Sequence, residues 1–394
     1  MCRASQVESS ANRAASNAGS ASFIIPSRRL KRPVPPGLWG RAGSRLVMQF
    51  KRKHWITLVK ILVPTVILIL LISWITPEQR QALYEQPKDY GLLLAALLLS
   101  LVALSVSITR WCCLVRCQGI KLSLIEAHRL GMIGYLLNFV SAGTVGGDFF
   151  KAIFLARQCP GHRVQAITSV VVDRALGLYG LLLLALAAFT FGGDIGAGQV
   201  SDELRQLRIM TAVLAGVGAV GLAVLVFGGR LVDRLLDSLA KLPVIGSLTV
   251  KAVSPVRQYS EHPWTLSLSL ILSLGVHSLL SASLFLIAIS LYDDAPTLVQ
   301  HMIIVPISML AGALPISPAG LGVFEATFNA MYEVVPSEPT LASGTIIALF
   351  YLLIRILIAF LGTVFYWTAG DDVRESIQEA ETDADSTAEA PTGN

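Results

Sequence analysis

Five charged residues lie in or beside apolar segments of the sequence, in two groups that resemble each other. Asp148 and Lys151 follow a glycine-rich stretch, and Arg174 comes about one helix later; Glu325 follows a second Gly/Pro stretch, and Arg355 comes about one helix after it. An arginine in the membrane interior costs at least ~2.5 kcal/mol and must therefore face a partner or a cavity. Because the guanidinium fork matches phosphate oxygens, the pattern predicts a site for a charged group.

The same charges also allow a structural interpretation. Asp148 or Glu325 could form internal ion pairs with Arg174 or Arg355 that only hold the helices together. A further ionisable side chain, His277, stands alone on an apolar segment and is interpreted as a packing residue, with a proton relay as the alternative. The sequence leaves both interpretations of the acids and arginines open.

The glycine-rich stretch at residues 138–151 interrupts an apolar segment. Glycine costs roughly 1 kcal/mol in a helix interior, and Ser, Thr and Asp compete for backbone hydrogen bonds. We therefore expect a break between two half-helices, with the unusual backbone at Gly143, Gly146 and Gly147. Broken backbone at membrane depth survives only where protein or a water-filled cavity satisfies it. This stretch should line a polar site.

A second stretch, residues 314–325, resembles the first. Its predicted break residues are Ser317, Pro318, Gly320 and Gly322, and Glu325 follows them much as Asp148 follows the first break. Paired interrupted segments in corresponding halves of a membrane protein are the best sequence pointer to a transporter binding site.

The composition indicates an integral membrane protein. The chain is 54% hydrophobic and 14% charged, whereas a soluble domain carries about 25% charge. We predict an all-α, polytopic helical membrane protein with about eight hydrophobic segments: six full spans and two re-entrant helical hairpins. The predicted spans are 56–76, 91–109, 173–191, 207–227, 264–291 and 341–367, and the hairpins are 125–158 and 298–335.

The distribution of Lys and Arg predicts the orientation. Basic residues at 51–53 precede the first span, which places both termini in the cytoplasm and the protein in the plasma or inner membrane. The basic segments at 157–163 and 230–257 share that side only if 125–158 is a hairpin, and 298–335 lacks Lys and Arg, as an outer segment should. The order span, hairpin, span thus occurs twice with opposite orientation, which predicts an inverted-topology repeat.

The two ends differ from the middle of the chain. Residues 1–47 form a basic, Ser/Ala-rich segment that we expect to be a disordered tail, with Met48 as a possible true start; residues 48–370 form the membrane domain, and 371–394 an acidic disordered tail. The charge distribution does not indicate nucleic acid. The five cysteines lack disulfide or zinc spacing, so neither a metal nor a cofactor is expected.

Residues 141–155 with Gly146-Gly147-Asp148, the pair Asp173-Arg174 at a helix start, and residues 314–325 together resemble the lysylphosphatidylglycerol synthase transmembrane-region family, or flippase-like membrane proteins. The resemblance covers about residues 55–367. It implies a membrane domain that handles anionic or isoprenoid-linked lipids and in some members moves an aminoacylated lipid between leaflets. An arginine usually follows the first acid in this family. Here Lys151 stands nearby instead, which keeps a positive charge but loses the bidentate contact of a guanidinium group.

The resemblance and the charges lead to two functional expectations. The first is a transporter in which Arg174 and Arg355 hold a lipid phosphate, while Asp148 and Glu325 hold a cationic headgroup or release an arginine. The second is a membrane-embedded transferase, or an accessory subunit of enzymes that modify lipids or lipid-linked glycans. Synthase members carry a soluble aminoacyltransferase domain after the membrane part, and this chain ends 27 residues after Trp367. With no catalytic motif visible either, the transporter is favoured.

Overall fold

The computed structural model describes residues 77–85, 87–140, 146–192, 201–227, 257–314, 322–336 and 340–367, with single positions at 69, 73, 75 and 255. All of them belong to one compact unit, Ile67–Asn394; the chain's other unit is Met1–Val66. The predictions for the N-terminal tail, most of the span 56–76, the basic loop 230–254 and the acidic tail lie outside the described residues.

All regular structure in the described residues is helical, which confirms the all-α class. The helices are α1 (Pro77–Glu85), α2 (Tyr90–Cys117), α3 (Leu124–Val140), α4 (Gly146–Gln158), α5 (Arg163–Phe191), α6 (Asp202–Phe227), α7 (Pro263–Leu291), α8 (Leu298–Ala313), α9 (Val323–Val334) and α10 (Gly344–Trp367). A 3-10 helix, Pro160–His162, joins α4 to α5. Helix starts follow ordinary capping chemistry: the Asp89 carboxylate accepts the Gly91 and Leu92 N–H groups at α2, and Thr297 forms a capping box with Gln300 at α8.

Five helices within the described ranges are long and apolar enough to cross a membrane: α2, α5, α7, α10 and the portion Asp202–Val224 of α6. Two of these helices extend beyond the predicted spans. Helix α2 continues eight residues beyond Thr109, and α5 begins ten residues before Asp173. The prediction ended both spans at charged residues, Arg110 and Asp173, because it treated those charges as interfacial.

The segments predicted as hairpins each form two packed helices. Helix α3 packs against α4, and α8 packs against α9. The same packing pairs occur in both halves of the helical bundle, which are α2 to α5 and α7 to α10. Helix α3 contacts α10 of the other half, and α8 contacts α5; α4 contacts α5, and α9 contacts α10. Each broken segment therefore lies against the last long helix of the other half.

Helices α2 and α7 form the most extensive interface between the halves. Small side chains line it: the Ser283 hydroxyl donates to the Ala96 carbonyl at 2.8 Å and accepts from the Ser100 hydroxyl, also at 2.8 Å. Because Ala96, Ser100 and Ser283 are all buried, the two backbones approach closely, as small residues allow between membrane helices. Both helices also contribute residues to the wall of the cavity described below.

Candidate functional site

Two glycines on α5 let α2 and α7 reach the same point. A Cβ at position 180 would lie 2.6 Å from the Ser273 Cβ, so α7 could not keep its place against any larger residue. A Cβ at position 177 would lie 3.4 Å from a terminal nitrogen of the Arg110 guanidinium. Gly177 and Gly180 therefore form the surface on which Arg110 of α2 and Ser273 of α7 rest.

Arg110 and Asp173 form a buried ion pair at this point. The Arg110 side chain is 5% exposed and its Nε donates to Asp173 Oδ1 at 2.8 Å. A second guanidinium nitrogen donates to the Ser273 hydroxyl at 2.6 Å. The network connects α2, α5 and α7 inside the membrane segments. The sequence predicted Asp173 at a helix start and ended a span just before Arg110, but both residues lie inside helices, Asp173 in α5 and Arg110 in α2.

His277 lies one turn after Ser273 and faces the same network. Its Nε2 is 3.0 Å from the Gly177 carbonyl oxygen. A carbonyl only accepts, so Nε2 carries the proton and Nδ1 carries a lone pair. Nδ1 is buried and has no hydrogen-bond partner among the described residues. The Ser273 hydroxyl donates to the Ser269 carbonyl and accepts from Arg110, so His277 does not activate it as a nucleophile.

Asp148 is the centre of a second charged group. It lies in the first turn of α4 and is 8% exposed. Lys151 Nζ is 2.6 Å from Asp148 Oδ1, and Arg174 Nε donates to Asp148 Oδ2. The ammonium of Lys151 also lies 5.1 Å from the centroid of the Trp111 ring, a cation–π contact. Asp148 and Arg174 thus form one of the ion pairs that the sequence allowed, and Lys151 is a second partner of the same carboxylate.

Two of the three predicted break glycines lie in the described part of the chain. Gly146 and Gly147 lie in the first turn of α4, inside the helix. A Cβ on Gly147 would overlap the Gly134 carbonyl oxygen of α3, and the Gly147 N–H donates to the Asn138 side-chain oxygen at 2.9 Å. Gly147 is thus needed for close contact between α3 and α4. Gly143 lies outside the described residues.

Arg355 and Glu325 lie in the second half of the chain. Arg355 occupies the middle of α10, with its guanidinium carbon 5.9 Å from the centroid of the Tyr351 ring. Glu325 is fully buried and its Oε2 accepts the Gly322 N–H at 2.6 Å. Gly322 has φ 86°, a backbone conformation that favours glycine. Glu325 therefore caps the start of α9. Ser317, Pro318 and Gly320 lie outside the described residues.

A cavity of about 340 Å³ joins these groups. Among the described residues, four cationic side chains line its wall: Arg110, Lys151, Arg174 and Arg355. The acids Asp148 and Asp173 and the imidazole of His277 also line it. The remaining wall is mainly apolar or carries small polar groups. At about 30 Å³ per water molecule, the space holds roughly eleven waters. Four of the five sequence-predicted charges line this cavity and Glu325 does not; Arg110 and Asp173 line it although the sequence did not predict them as site residues.

Comparison with known proteins places this site in a family context. The family described as the lysylphosphatidylglycerol synthase TM region matches residues 58–362. A UPF0104 membrane protein from Pyrococcus horikoshii is 21% identical over 293 residues, which cover 70% of this chain and 87% of that relative. The family match includes every residue that lines the cavity.

Proposed function

The chain belongs to the lysylphosphatidylglycerol synthase transmembrane-region family, and we propose that it binds a polar lipid and moves its headgroup between leaflets. The lipid is anionic or isoprenoid-linked; its headgroup occupies the charged cavity and its tails remain in the bilayer. The observation that carries the proposal is a headgroup-sized cavity with four cationic side chains inside a membrane bundle. Charges at this depth are costly, and where they face a cavity they commonly mark a substrate pathway.

The hydrogen bonds of the two acids favour an anionic headgroup over a cationic one. Asp173 accepts from Arg110, and Asp148 accepts from both Lys151 and Arg174. A cationic headgroup would therefore have to compete with the protein's own cations for each carboxylate. A phosphate can take over Arg174, whose side chain is 35% exposed, because Lys151 then remains with Asp148. The planar fork of a guanidinium suits phosphate oxygens.

Lys151 supports an exchange mechanism at Asp148. Lys151 and Asp148 are one turn apart on α4, so they move together, whereas Arg174 belongs to α5. When Arg174 turns to a lipid phosphate, Lys151 keeps the buried carboxylate neutralised. Without Lys151, the same movement would leave the Asp148 carboxylate without a charge partner, at a cost of at least about 1.5 kcal/mol. In this mechanism Asp148 is a temporary partner of Arg174, as the sequence suggested, and does not hold a cationic headgroup.

The packing of the two halves supports an inverted repeat with re-entrant hairpins. Equivalent helix contacts occur in both halves, and each broken segment lies against the last helix of the other half. In transporters of this kind, one repeat rocks against the other around a central site. We propose the plasma or inner membrane as the location, with both termini cytoplasmic. A cysteine at position 161 should then react only with membrane-permeant reagents, and one at position 201 with impermeant reagents too; labelling of position 161 from outside would contradict the topology.

Reconstitution tests the proposed function directly. The purified protein is placed in vesicles that contain a fluorescent anionic lipid, and an impermeant quencher measures how much lipid reaches the outer leaflet. Arg174→Gln should abolish the protein-dependent movement, whereas Arg257→Gln should not, because Arg257 is exposed and pairs only with the exposed Glu261 in the described residues. A chemically altered lipid recovered from the vesicles would instead support the transferase alternative, and a wild-type protein that moved no lipid would refute transport.

A further inference from the structure

We propose that lipid movement is coupled to a proton, which Glu325 takes up when Arg355 turns to the lipid phosphate and gives up when Arg355 returns. The proposal rests on the proposed function and adds a second transported species to it. One lipid anion and one proton cross the membrane together. The proton is needed in the second half of the bundle, α7 to α10, because that half lacks the spare cation that the first half carries.

Asp148 and Glu325 occupy equivalent positions in the two halves. Each is the third residue of its helix, Asp148 in α4 and Glu325 in α9. Helix α4 packs against α5, which carries Arg174, and α9 packs against α10, which carries Arg355. Both arginines line the cavity. The two halves therefore share one arrangement, a buried acid at a helix start and an arginine on the neighbouring long helix.

The halves differ at the position three residues after the acid. Lys151 stands there in α4, 2.6 Å from Asp148 Oδ1, and it remains with that carboxylate when the arginine leaves in the proposed exchange. Phe328 stands at the same position in α9 and is fully buried. Residues 298–335 contain neither Lys nor Arg. Helix α10 supplies a single cation, the arginine of the pair itself. The three helices α8, α9 and α10 therefore offer Glu325 no second cation.

The carboxylate of Glu325 has one oxygen without a partner. The residue is fully buried, and its Oε2 accepts the Gly322 N–H at 2.6 Å. Oε1 is also buried and has no hydrogen-bond partner within the described residues. The charge of Glu325 interacts with that of Arg355, which lines the cavity. Oε1 can therefore bind a proton without the loss of the cap at Gly322.

The helices around this carboxylate bring few other titratable groups towards it. Helix α10 contributes Arg355 and Tyr351, a phenol that ordinarily keeps its proton near neutral pH. Helix α8 contributes His301, whose Nδ1 donates to the backbone carbonyl at the N-cap of α8 and whose Nε2 accepts from the Tyr332 hydroxyl of α9. Glu333, the other acid of α9, is exposed and does not line the cavity. The buried carboxylate is thus the group placed to exchange a proton as the arginine moves.

A proton is the remaining way to neutralise Glu325. If Arg355 turned to a lipid phosphate while Glu325 stayed ionised, a buried charge would lose its counter-charge; a buried group in that position binds a proton instead. In the loaded state an O–H bond forms at Oε1 and Arg355 pairs with the phosphate. In the empty state the proton has left through the cavity and Arg355 pairs with Glu325. A singly charged lipid and its proton add no net charge, so the cycle is electroneutral.

Vesicles with a pH difference across the membrane test the coupling. The purified protein is reconstituted into phosphatidylcholine vesicles that contain a trace of fluorescent phosphatidylglycerol, whose phosphodiester keeps one charge near neutral pH. An impermeant quencher measures the fraction of labelled lipid in the outer leaflet. With the interior one pH unit more acidic than the bath, labelled lipid should accumulate in the outer leaflet up to about tenfold, the ratio that one proton per lipid supports. An ionophore that exchanges protons for potassium ions should abolish the accumulation.

Variants connect the proton to Glu325. Glu325→Gln cannot exchange a proton but keeps an acceptor for the Gly322 N–H. It should therefore fold, as thermal unfolding in detergent would show, and lose the accumulation that the pH difference drives. Glu333→Gln is the matched control, because Glu333 is an exposed acid of the same helix that does not line the cavity. This control should accumulate labelled lipid as the wild type does.

The outcomes separate the coupling from the proposed function. If the wild-type protein equilibrates labelled lipid between the leaflets and the pH difference leaves that distribution unchanged, the coupling is wrong while lipid movement stands. Accumulation in the inner, acidic leaflet would contradict the joint movement of lipid and proton. Accumulation that persists in a folded Glu325→Gln protein would assign the proton to another residue and overturn the role given to Glu325. A wild-type protein that moves no lipid under either condition would end both proposals.

Discussion

The contacts of Asp148 predict how variants of its two cations behave in combination. Lys151→Gln removes the cation that lies on α4 together with Asp148, so among the described residues Arg174 remains as the ion-pair partner of the carboxylate. A hydrogen bond to a charged group is worth about 1.5–3 kcal/mol. Since the Arg174 side chain is 35% exposed, solvent screening argues for the low end, about 1.5 kcal/mol. Releasing Arg174 to a lipid would then cost that much more, and transport should slow about tenfold.

The double variant Lys151→Gln with Asp148→Asn separates exchange from simple charge loss. Asparagine needs no counter-ion, so Arg174 is no longer held and transport should recover to within about threefold of wild type. Thermal unfolding in detergent should change little in the single variant, because the Asp148–Arg174 pair remains. Lys121→Gln is the control, since Lys121 is an exposed lysine on the loop before α3. The assay is quencher-based lipid movement in vesicles.

Two results would refute this reasoning. If Lys151→Gln transports lipid at the wild-type rate, then Asp148 does not need its second cation when Arg174 moves. If the double variant is folded and as slow as the single one, then Lys151 acts directly on the substrate and not through Asp148.

Three further predictions follow from the buried contacts. Arg110→Leu should destabilise the protein by about 3–5 kcal/mol because it leaves Asp173 unpaired, whereas Arg110→Leu with Asp173→Leu should recover most of that loss; denaturant or thermal unfolding measures both, and equal loss in the two would contradict the pair. Gly180→Ala should cost about 1–3 kcal/mol by overpacking against Ser273, while Gly216→Ala, whose Cβ meets nothing within 4 Å in the described residues, should be neutral or slightly stabilising. Glu325→Ala should destabilise the protein by roughly 1 kcal/mol through loss of the cap at Gly322, and Glu325→Gln, which keeps an acceptor, should lose less.

The sequence was sufficient to predict the helical class and four of the charged residues that line the cavity. Apolar runs of membrane length identify α2, α5, α6, α7 and α10 as spans because hydrocarbon requires that length. Asp148, Lys151, Arg174 and Arg355 were predicted because each is a charge in or beside an apolar run. Such charges are costly unless they are paired or face a cavity, and all four line the cavity.

The remainder of the site depended on distant partners. Arg110 and Asp173 are 63 residues apart in the chain. The sequence around each residue does not reveal that the other is its partner, so each was predicted to mark the end of a span. One signal was available: apolar residues continue after Arg110, from Trp111 to Val115, as they would in a longer helix. Glu325 was expected in the site because it matches Asp148 in position, but its carboxylate turns back to its own helix start. The orientation of a buried carboxylate depends on which hydrogen-bond donors lie near it in the fold. The spacing of residues along the sequence does not reveal those donors.

Arg355 is the residue at which stability and function can be separated. It lies in the middle of α10 on the cavity wall, and its charge interacts with that of the buried Glu325. Replacing both members of a buried charged pair by apolar residues can be neutral. Arg355→Leu combined with Glu325→Leu should therefore lower the stability by little more than the lost cap at Gly322, while it abolishes lipid movement. Full lipid movement by that folded double variant would show that Arg355 belongs to the scaffold and that the substrate lies elsewhere.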